Sequence, residues 1–334
     1  MEKEDIAVLA LGGTIAMAKD SDGKNNGVVP TLTANALVDA VPGLEKIANI
    51  QARVFRLLPS AQLGYDDLDE LADTARNLGR SGCRGVVVTQ GTDTIEETAF
   101  VLDRLLSLDM PVVVTGAMRN PTEVSADGAA NLLTSVQVAL SDEARGKGCL
   151  VVMNDEIHAA RFVRKTHTSR LDTFVSTPCG QIGWITEGRV RIAVSLPAVP
   201  PIIGMATRSG AKVALVRVAL GDRGEQIEAL HSAVFDGMVV EATGGGHVAG
   251  EVADALEKTV LKMPVVLASR TGSGEVLEHT YGFKGSEMDL LRRGLIRAGW
   301  LDGLKAKALL TLLLRRGINA HNRVAQAFAP WGGG

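Results

Sequence analysis

Short apolar runs recur along the chain, and each closes on a cluster of Gly, Thr, Ser or Asn. Ile6–Leu11 ends at Gly12-Gly13-Thr14, and Gly85–Thr89 at Gln90-Gly91-Thr92-Asp93-Thr94. Pro111–Thr115 ends at Gly116-Ala117, and Leu150–Met153 at Asn154-Asp155. Strands buried on both faces read as continuous apolar runs, so this pattern predicts a parallel sheet covered by helices. Between the runs, Leu68, Leu71, Ala72, Ala75 and Leu78 repeat at helical spacing from Asp66 and stop at Gly79. A second helix is predicted after Ser125, through Ala130, Leu132, Leu133, Val136 and Leu140. Pro197, Pro200 and Pro201 interrupt the segment Leu196–Gly204, which can continue neither a helix nor a central strand. The alternation resumes in Lys212–Leu220, Gly237–Glu241 and Pro264–Ser269, the last two runs followed by Gly244-Gly245-Gly246 and Gly272-Ser273-Gly274, and closes with a helix over Leu304–Leu314.

The expected fold is therefore α/β: a larger N-terminal domain over 1–195 with a mainly parallel sheet, a linker over 196–211, and a smaller C-terminal α/β domain over 212–334. In open parallel sheets ligands sit beyond the carboxyl ends of the strands, so the polar turns just named are where chemistry is expected.

Composition narrows the class of protein. The 334 residues are 46% apolar and 22% charged, with a net charge of −3, which excludes a disordered chain. No basic excess is present to neutralise phosphates, so a nucleic-acid partner is not expected. Cys83, Cys149 and Cys179 are widely spaced and form no CxxC pair, so neither a disulfide framework nor a zinc site is predicted. The acidic opening, Met1-Glu2-Lys3-Glu4-Asp5, differs from a secretory leader, and no run approaches the ~20 apolar residues of a membrane helix. A soluble, cytoplasmic protein without a membrane partner is the expectation.

Thr14, presented by two glycines at the end of the first run, reads either as a reactive hydroxyl or as an ordinary helix cap. Thr94 with Glu97 reads as a capping box, which leaves Thr92 and Asp93 unaccounted for. A carboxylate at Asp93 could hold an ammonium group. Lys165, in Arg161–His167, is ordinarily a solvated charge and gains meaning only if it lies beside Thr92 and Asp93. There burial would help it take a proton from a threonine hydroxyl, and Asp93 would oppose that. The six histidines show no metal-ligand spacing, and no GxSxG elbow is present, so a zinc hydrolase and a serine-triad hydrolase both fit poorly. Threonine hydroxyls beside an acid and a lysine remain.

Three segments resemble the bacterial-type L-asparaginases in sequence and order: Leu11-Gly-Gly-Thr-Ile-Ala16, Val87-Val-Thr-Gln-Gly-Thr-Asp-Thr-Ile-Glu-Glu-Thr98, and Thr115-Gly-Ala-Met118 followed by Ser125-Ala-Asp-Gly128. Val151-Val-Met-Asn-Asp155, Arg164-Lys-Thr166 and Ser269-Arg-Thr-Gly272 extend the likeness over nearly the whole chain. The resemblance implies a homotetramer built as a dimer of dimers. Each active site would lie between the N-terminal domain of one subunit and the C-terminal domain of its neighbour. The implied reaction is hydrolysis of L-asparagine to L-aspartate and ammonia, with weaker activity on L-glutamine and no metal or other cofactor. By position, Thr14 matches the nucleophile, Thr92 the second threonine and Lys165 its lysine partner. Asp93 matches the ligand of the substrate α-ammonium and Ser60 that of the α-carboxylate. Ala61, Gly91 and Ala117 fall at substrate-lining positions.

The chain departs from the family pattern at several points. Gln90 stands where the family carries His, and Ala61, followed by Gln62, stands where it carries Gln or Glu. His247 occupies the place of an Asn contributed by the neighbouring subunit. The N-terminal loop from Lys19 to Thr31 lacks the activating tyrosine, with Gly27 nearest to it. Tyr281, from the adjacent subunit, is the expected substitute, with Glu275, Glu278 or Glu287 as the acid entering the neighbour's site. The stretch Lys19–Gly27 is polar and glycine-bearing, as expected of a lid. Two competing readings are an amidase of broader specificity, including glutamine, and a non-catalytic amino-acid-binding relative.

Overall fold

The computed structural model describes residues 3–13, 15, 17–19, 28–30 and 34–334, with only the backbone considered at 17–19, 28–30, 34, 35 and 37. Thr14 and, apart from Lys19, the predicted lid from Lys19 to Gly27 lie outside the described residues. The chain divides into two compact units, Met1–Pro201 and Ile202–Gly334.

Unit 1 begins with β1 (Asp5–Ala10), then β2 (Met17–Lys19) and β3 (Val28–Pro30), which pair antiparallel. Next come α1 (Ala34–Asp39), α2 (Leu44–Ile47), β4 (Asn49–Val54) and α3 (Tyr65–Arg80). They are followed by β5 (Gly85–Thr89), α4 (Ile95–Leu105), β6 (Val112–Thr115), α5 (Gly128–Leu140) and β7 (Cys149–Met153). The remaining strands are β8 (Glu156–Ala159), β9 (Val163–Lys165), β10 (Phe174–Ser176), β11 (Gly183–Thr186) and β12 (Arg189–Ile192).

The main sheet runs β12-β11-β8-β7-β6-β5-β1-β4. Strands β4, β1, β5, β6 and β7 are parallel, and their centre is buried on both faces, as the continuous apolar runs require. Gly85 at the start of β5 lets α5 close on the sheet, because a Cβ there would lie 2.5 Å from Ala139 O. α3 buries Leu68, Leu71, Ala72, Ala75 and Leu78, the residues of the predicted stripe.

The pattern did not anticipate β8, β11 and β12, which extend the sheet antiparallel. In β11 only Gly183 and Ile185 are buried while Trp184 and Thr186 are exposed, so no apolar run marks it. The first half of the expected linker also belongs to unit 1. Arg161 donates to Pro197 O at 2.9 Å, and Arg104 points at Val199 O and Pro200 O at 3.5 and 3.4 Å. These bonds draw the proline segment onto the unit.

Unit 2 holds β13 (Val213–Arg217), α6 (Glu225–Leu230), β14 (Gly237–Ala242), α7 (Gly250–Val260) and β15 (Val265–Ser269). It closes with α8 (Glu287–Arg292), β16 (Ile296–Arg297), α9 (Gly303–Arg315) and α10 (His321–Phe328). Its four strands form one parallel sheet in the order β13-β14-β15-β16, over a core that includes Val240, Leu256, Leu267 and Leu290. Among the described residues no helix is long and apolar enough to cross a membrane.

Candidate active site

In unit 1 the carboxyl ends of β1, β5 and β6 converge. Gly13, with φ +89°, packs on the Gln90–Gly91 peptide so closely that a Cβ would sit 2.0 Å from Gly91 N. Only a residue without a side chain fits that approach. Gly91 in turn leaves room for Ser60, whose Oγ would be 2.8 Å from a Cβ at that position. A Cβ at Gly116 would meet Gln90 O at 2.6 Å and Thr92 Cγ2 at 3.3 Å, which brings the turn after β6 against Thr92.

Thr92 and Asp93 open a single 3₁₀ turn, Thr92–Thr94, between β5 and α4. Thr92 is buried and Asp93 exposed. Lys165, the last residue of β9, reaches both: Nζ donates to Thr92 Oγ1 at 2.8 Å and to Asp93 Oδ1 at 2.7 Å. The β9–β10 hairpin sets its register, with Lys165 opposite Phe174. The Lys165 backbone N–H also points at the buried Glu96 carboxylate at 3.4 Å. Lys165 is thus the lysine beside Thr92 and Asp93 that gives its sequence position meaning.

The expected capping box is absent. Thr94 is the N-cap of α4, but its side chain accepts no helix N–H; its hydroxyl donates to Ser60 O at 3.1 Å and lies 3.3 Å from Gln90 Nε2. Thr94 therefore ties the Ser60 turn to the Thr92 turn, a tertiary use of the hydroxyl that local spacing does not reveal. Ala61 follows Ser60 and is exposed, whereas Ala117 is fully buried.

A second brace lies behind Ala117. Asp127 accepts from the backbone N–H groups of Met118 and Arg119, both at 2.9 Å, and Asn131 donates to Gly116 O at 3.0 Å. Asn131 also accepts from Asn154 N at 3.0 Å, linking the turns after β6 and β7. In the sequence Asp127 is part of the Ser125–Gly128 motif, and Asn131, one helical turn on, is the signal that marks the brace.

Tyr281, His247 and Glu278 belong to unit 2. The His247 ring stands edge-on to Tyr281 with centroids 4.8 Å apart and an interplanar angle of 83°. Glu278 pairs with Arg297 at 2.7 Å. Tyr281 is 44% exposed, so its ring is available at the surface of the unit.

Comparison with known proteins shows the family. The family model for the asparaginase N-terminal domain matches residues 5–197, and that for the glutaminase/asparaginase C-terminal domain matches residues 212–328. A "Probable L-asparaginase" of Deinococcus radiodurans is 38% identical over 316 residues, covering 93% of each chain. A "Probable L-asparaginase periplasmic" of Haemophilus influenzae is 35% identical over 93% of this chain and 88% of its own. The crystal structure of a "Probable Cytoplasmic L-asparaginase" from Campylobacter jejuni superposes with a TM-score of 0.87 at 31% identity, covering 98% of this chain and 99% of that one. Likeness of this extent defines a class, the two-unit α/β hydrolases that act on amides. Within that class the chain belongs to the asparaginase family.

Proposed function

We propose that the chain hydrolyses the side-chain amide of L-asparagine to L-aspartate and ammonia through a threonyl ester. The observation that carries this reading is the Lys165 ammonium within hydrogen-bond reach of both Thr92 and Asp93. Gly13, the residue before Thr14 in the sequence, lies against Gly91, the residue before Thr92, which supports two hydroxyls converging on one carbonyl carbon.

In this reading Thr14 Oγ adds to the amide carbonyl, and backbone N–H groups around Thr92 hold the developing oxyanion. Lys165 passes a proton through Thr92 to the leaving nitrogen and regains the proton that Thr14 gives up, so the C–N bond breaks with ammonia as the leaving group. Water then attacks the ester, its proton passes through Thr92 to the departing Thr14 oxygen, and the Thr14 hydroxyl is restored as L-aspartate leaves. Asp93 holds the substrate α-ammonium and Ser60 its α-carboxylate, with Ala61, Gly91 and Ala117 lining the site. Tyr281 and His247 from an adjacent subunit complete it, with Glu278 as the acid, in a homotetramer. Ala61 and Gln90 are compatible with this scheme, because neither position supplies a proton-transfer group in it.

A cytoplasmic location is supported by the description of the Campylobacter protein, while the Haemophilus relative is described as periplasmic; cell fractionation decides between them. The decisive assay is ammonia release from L-asparagine and L-glutamine by wild type and by Thr14→Ala. Release from asparagine that Thr14→Ala abolishes is expected. Tight asparagine binding by the wild type with no ammonia would instead make the chain an amino-acid-binding protein.

A further inference from the structure

The segment carrying Tyr281 is organised around one carboxylate. Glu287, the first residue of α8, is fully buried. Its Oε1 accepts from the backbone N–H groups of Thr280 and Tyr281 at 2.9 and 2.6 Å, and its Oε2 lies 3.1 Å from His247 Nε2. Ser286, the adjoining N-cap, donates its hydroxyl to Tyr281 O at 2.6 Å, so both backbone polar groups of Tyr281 are tied to the start of α8. The rings of His247, Tyr281 and Phe283 then pack edge to face or tilted, with centroids 4.8 to 6.0 Å apart. Of the three acids that could enter a neighbouring site, Glu287 is the one that is fully buried with both oxygens engaged inside its own unit; Glu278 pairs with Arg297 through one oxygen and stays 43% exposed.

We propose that Glu287 is a positioning residue, which locks Tyr281 and His247 into one rigid surface and fixes the proton of His247 on Nε2. The proposal rests on the reading in which those two side chains complete an adjacent subunit's site. An ionised carboxylate has no proton to donate, so the hydrogen bond to His247 requires Nε2 to carry the hydrogen. Burial pushes the Glu287 carboxyl up, but the backbone N–H groups of Tyr281, Thr280 and Glu287 itself, together with His247, outweigh it. They hold the group below its ordinary value, so it is ionised at neutral pH. With Nε2–H committed inward, Nδ1 is the ring nitrogen left to face another molecule.

Glu287→Gln tests both halves. The amide oxygen can still accept from Thr280 and Tyr281, but its NH₂ group then faces His247 Nε2, and the imidazole proton must move to Nδ1. Two-bond ¹⁵N–¹H correlation spectra of histidine-labelled protein at alkaline pH read the tautomer directly, with the His247 signals assigned by their loss in His247→Gln. The expected result is Nε2–H in wild type and Nδ1–H in Glu287→Gln, with kcat on asparagine lowered up to about 100-fold and KM changed far less. Tyr281→Phe is assayed beside it. If Tyr281→Phe keeps wild-type turnover, the proposed role of Tyr281 is lost, while the tautomer result stands on its own. If Tyr281→Phe is impaired but Glu287→Gln retains both wild-type turnover and Nε2–H, the role of Glu287 is overturned. Should Glu287→Gln fail to fold, the wild-type spectrum decides: a neutral His247 protonated on Nδ1 overturns the proposal, and one protonated on Nε2 supports it.

Discussion

Replacing Lys165 separates a residue that holds Thr92 in place from one that moves a proton. Its Nζ makes two charge-assisted contacts, 2.8 Å to Thr92 and 2.7 Å to Asp93. The Asp93 side chain is 73% exposed, so solvent screens that pair and its loss matters little. The bond to the buried Thr92 hydroxyl is worth ~1.5–3 kcal/mol, about 10- to 150-fold if position alone is lost. Proton transfer by a positioned side chain contributes a further ~10²–10⁴-fold. Lys165→Met is therefore expected to lower kcat by about 10³-fold or more. Lys165→Arg is the sharper probe: guanidinium keeps the charge and can donate to Thr92 and Asp93, but it cannot release a proton at any working pH. It should still lose ~10²–10⁴-fold in kcat, followed as ammonia release in a coupled assay. Lys165→Arg turning over asparagine within about tenfold of wild type would refute the relay and leave Lys165 an electrostatic prop.

Two further perturbations test the scaffold. Gly13→Ala combines a φ of +89° with a Cβ 2.0 Å from Gly91 N, and should cost about 2–3 kcal/mol in urea unfolding along with most activity. Gly43→Ala has a similar φ of +83° but meets nothing within 4 Å, so it should cost only ~1 kcal/mol; equal losses at both positions would show that crowding against Gly91 is irrelevant. On β8, His158 is buried with Nδ1 at 2.9 Å from Ser176 Oγ, and Glu156 Oε2 lies 3.3 Å from Nε2 but off the hydrogen-bonding direction. Burial lowers its pKa from 6.5 to about 4, so between those values the unfolded chain takes up a proton that the folded one refuses. Stability from this residue is complete above the unfolded value and falls on acidification, by about 3 kcal/mol at pH 4. Thermal midpoints of His158→Gln should decline less than wild type from pH 6.5 to pH 4; parallel curves would rule out His158 as a source of acid lability.

What the sequence disclosed follows from how each residue does its work. The central strands were legible because burial on both faces leaves an unbroken apolar run, and the turns after them because glycine is needed where Gly13 meets Gly91. Strands β11 and β12 were not, since one exposed face dilutes the signal to alternation over four residues. Thr92 and Asp93 stood out because a local cap could not account for them, yet Lys165 became informative only through the β9–β10 hairpin, which no spacing encodes. Thr94 misled for the complementary reason: a pattern that satisfies a local rule was used instead for a contact with Ser60. Glu287 is the limiting case. In sequence it was one of three glutamates near Tyr281, equivalent in charge and reach. Only folding distinguishes a carboxylate surrounded by donors from its own unit, as Glu287 is, from one at the surface, as Glu275 is. Charge can be read from composition, but whether a charge faces inward to organise or outward to react depends on which donors the fold has placed around it.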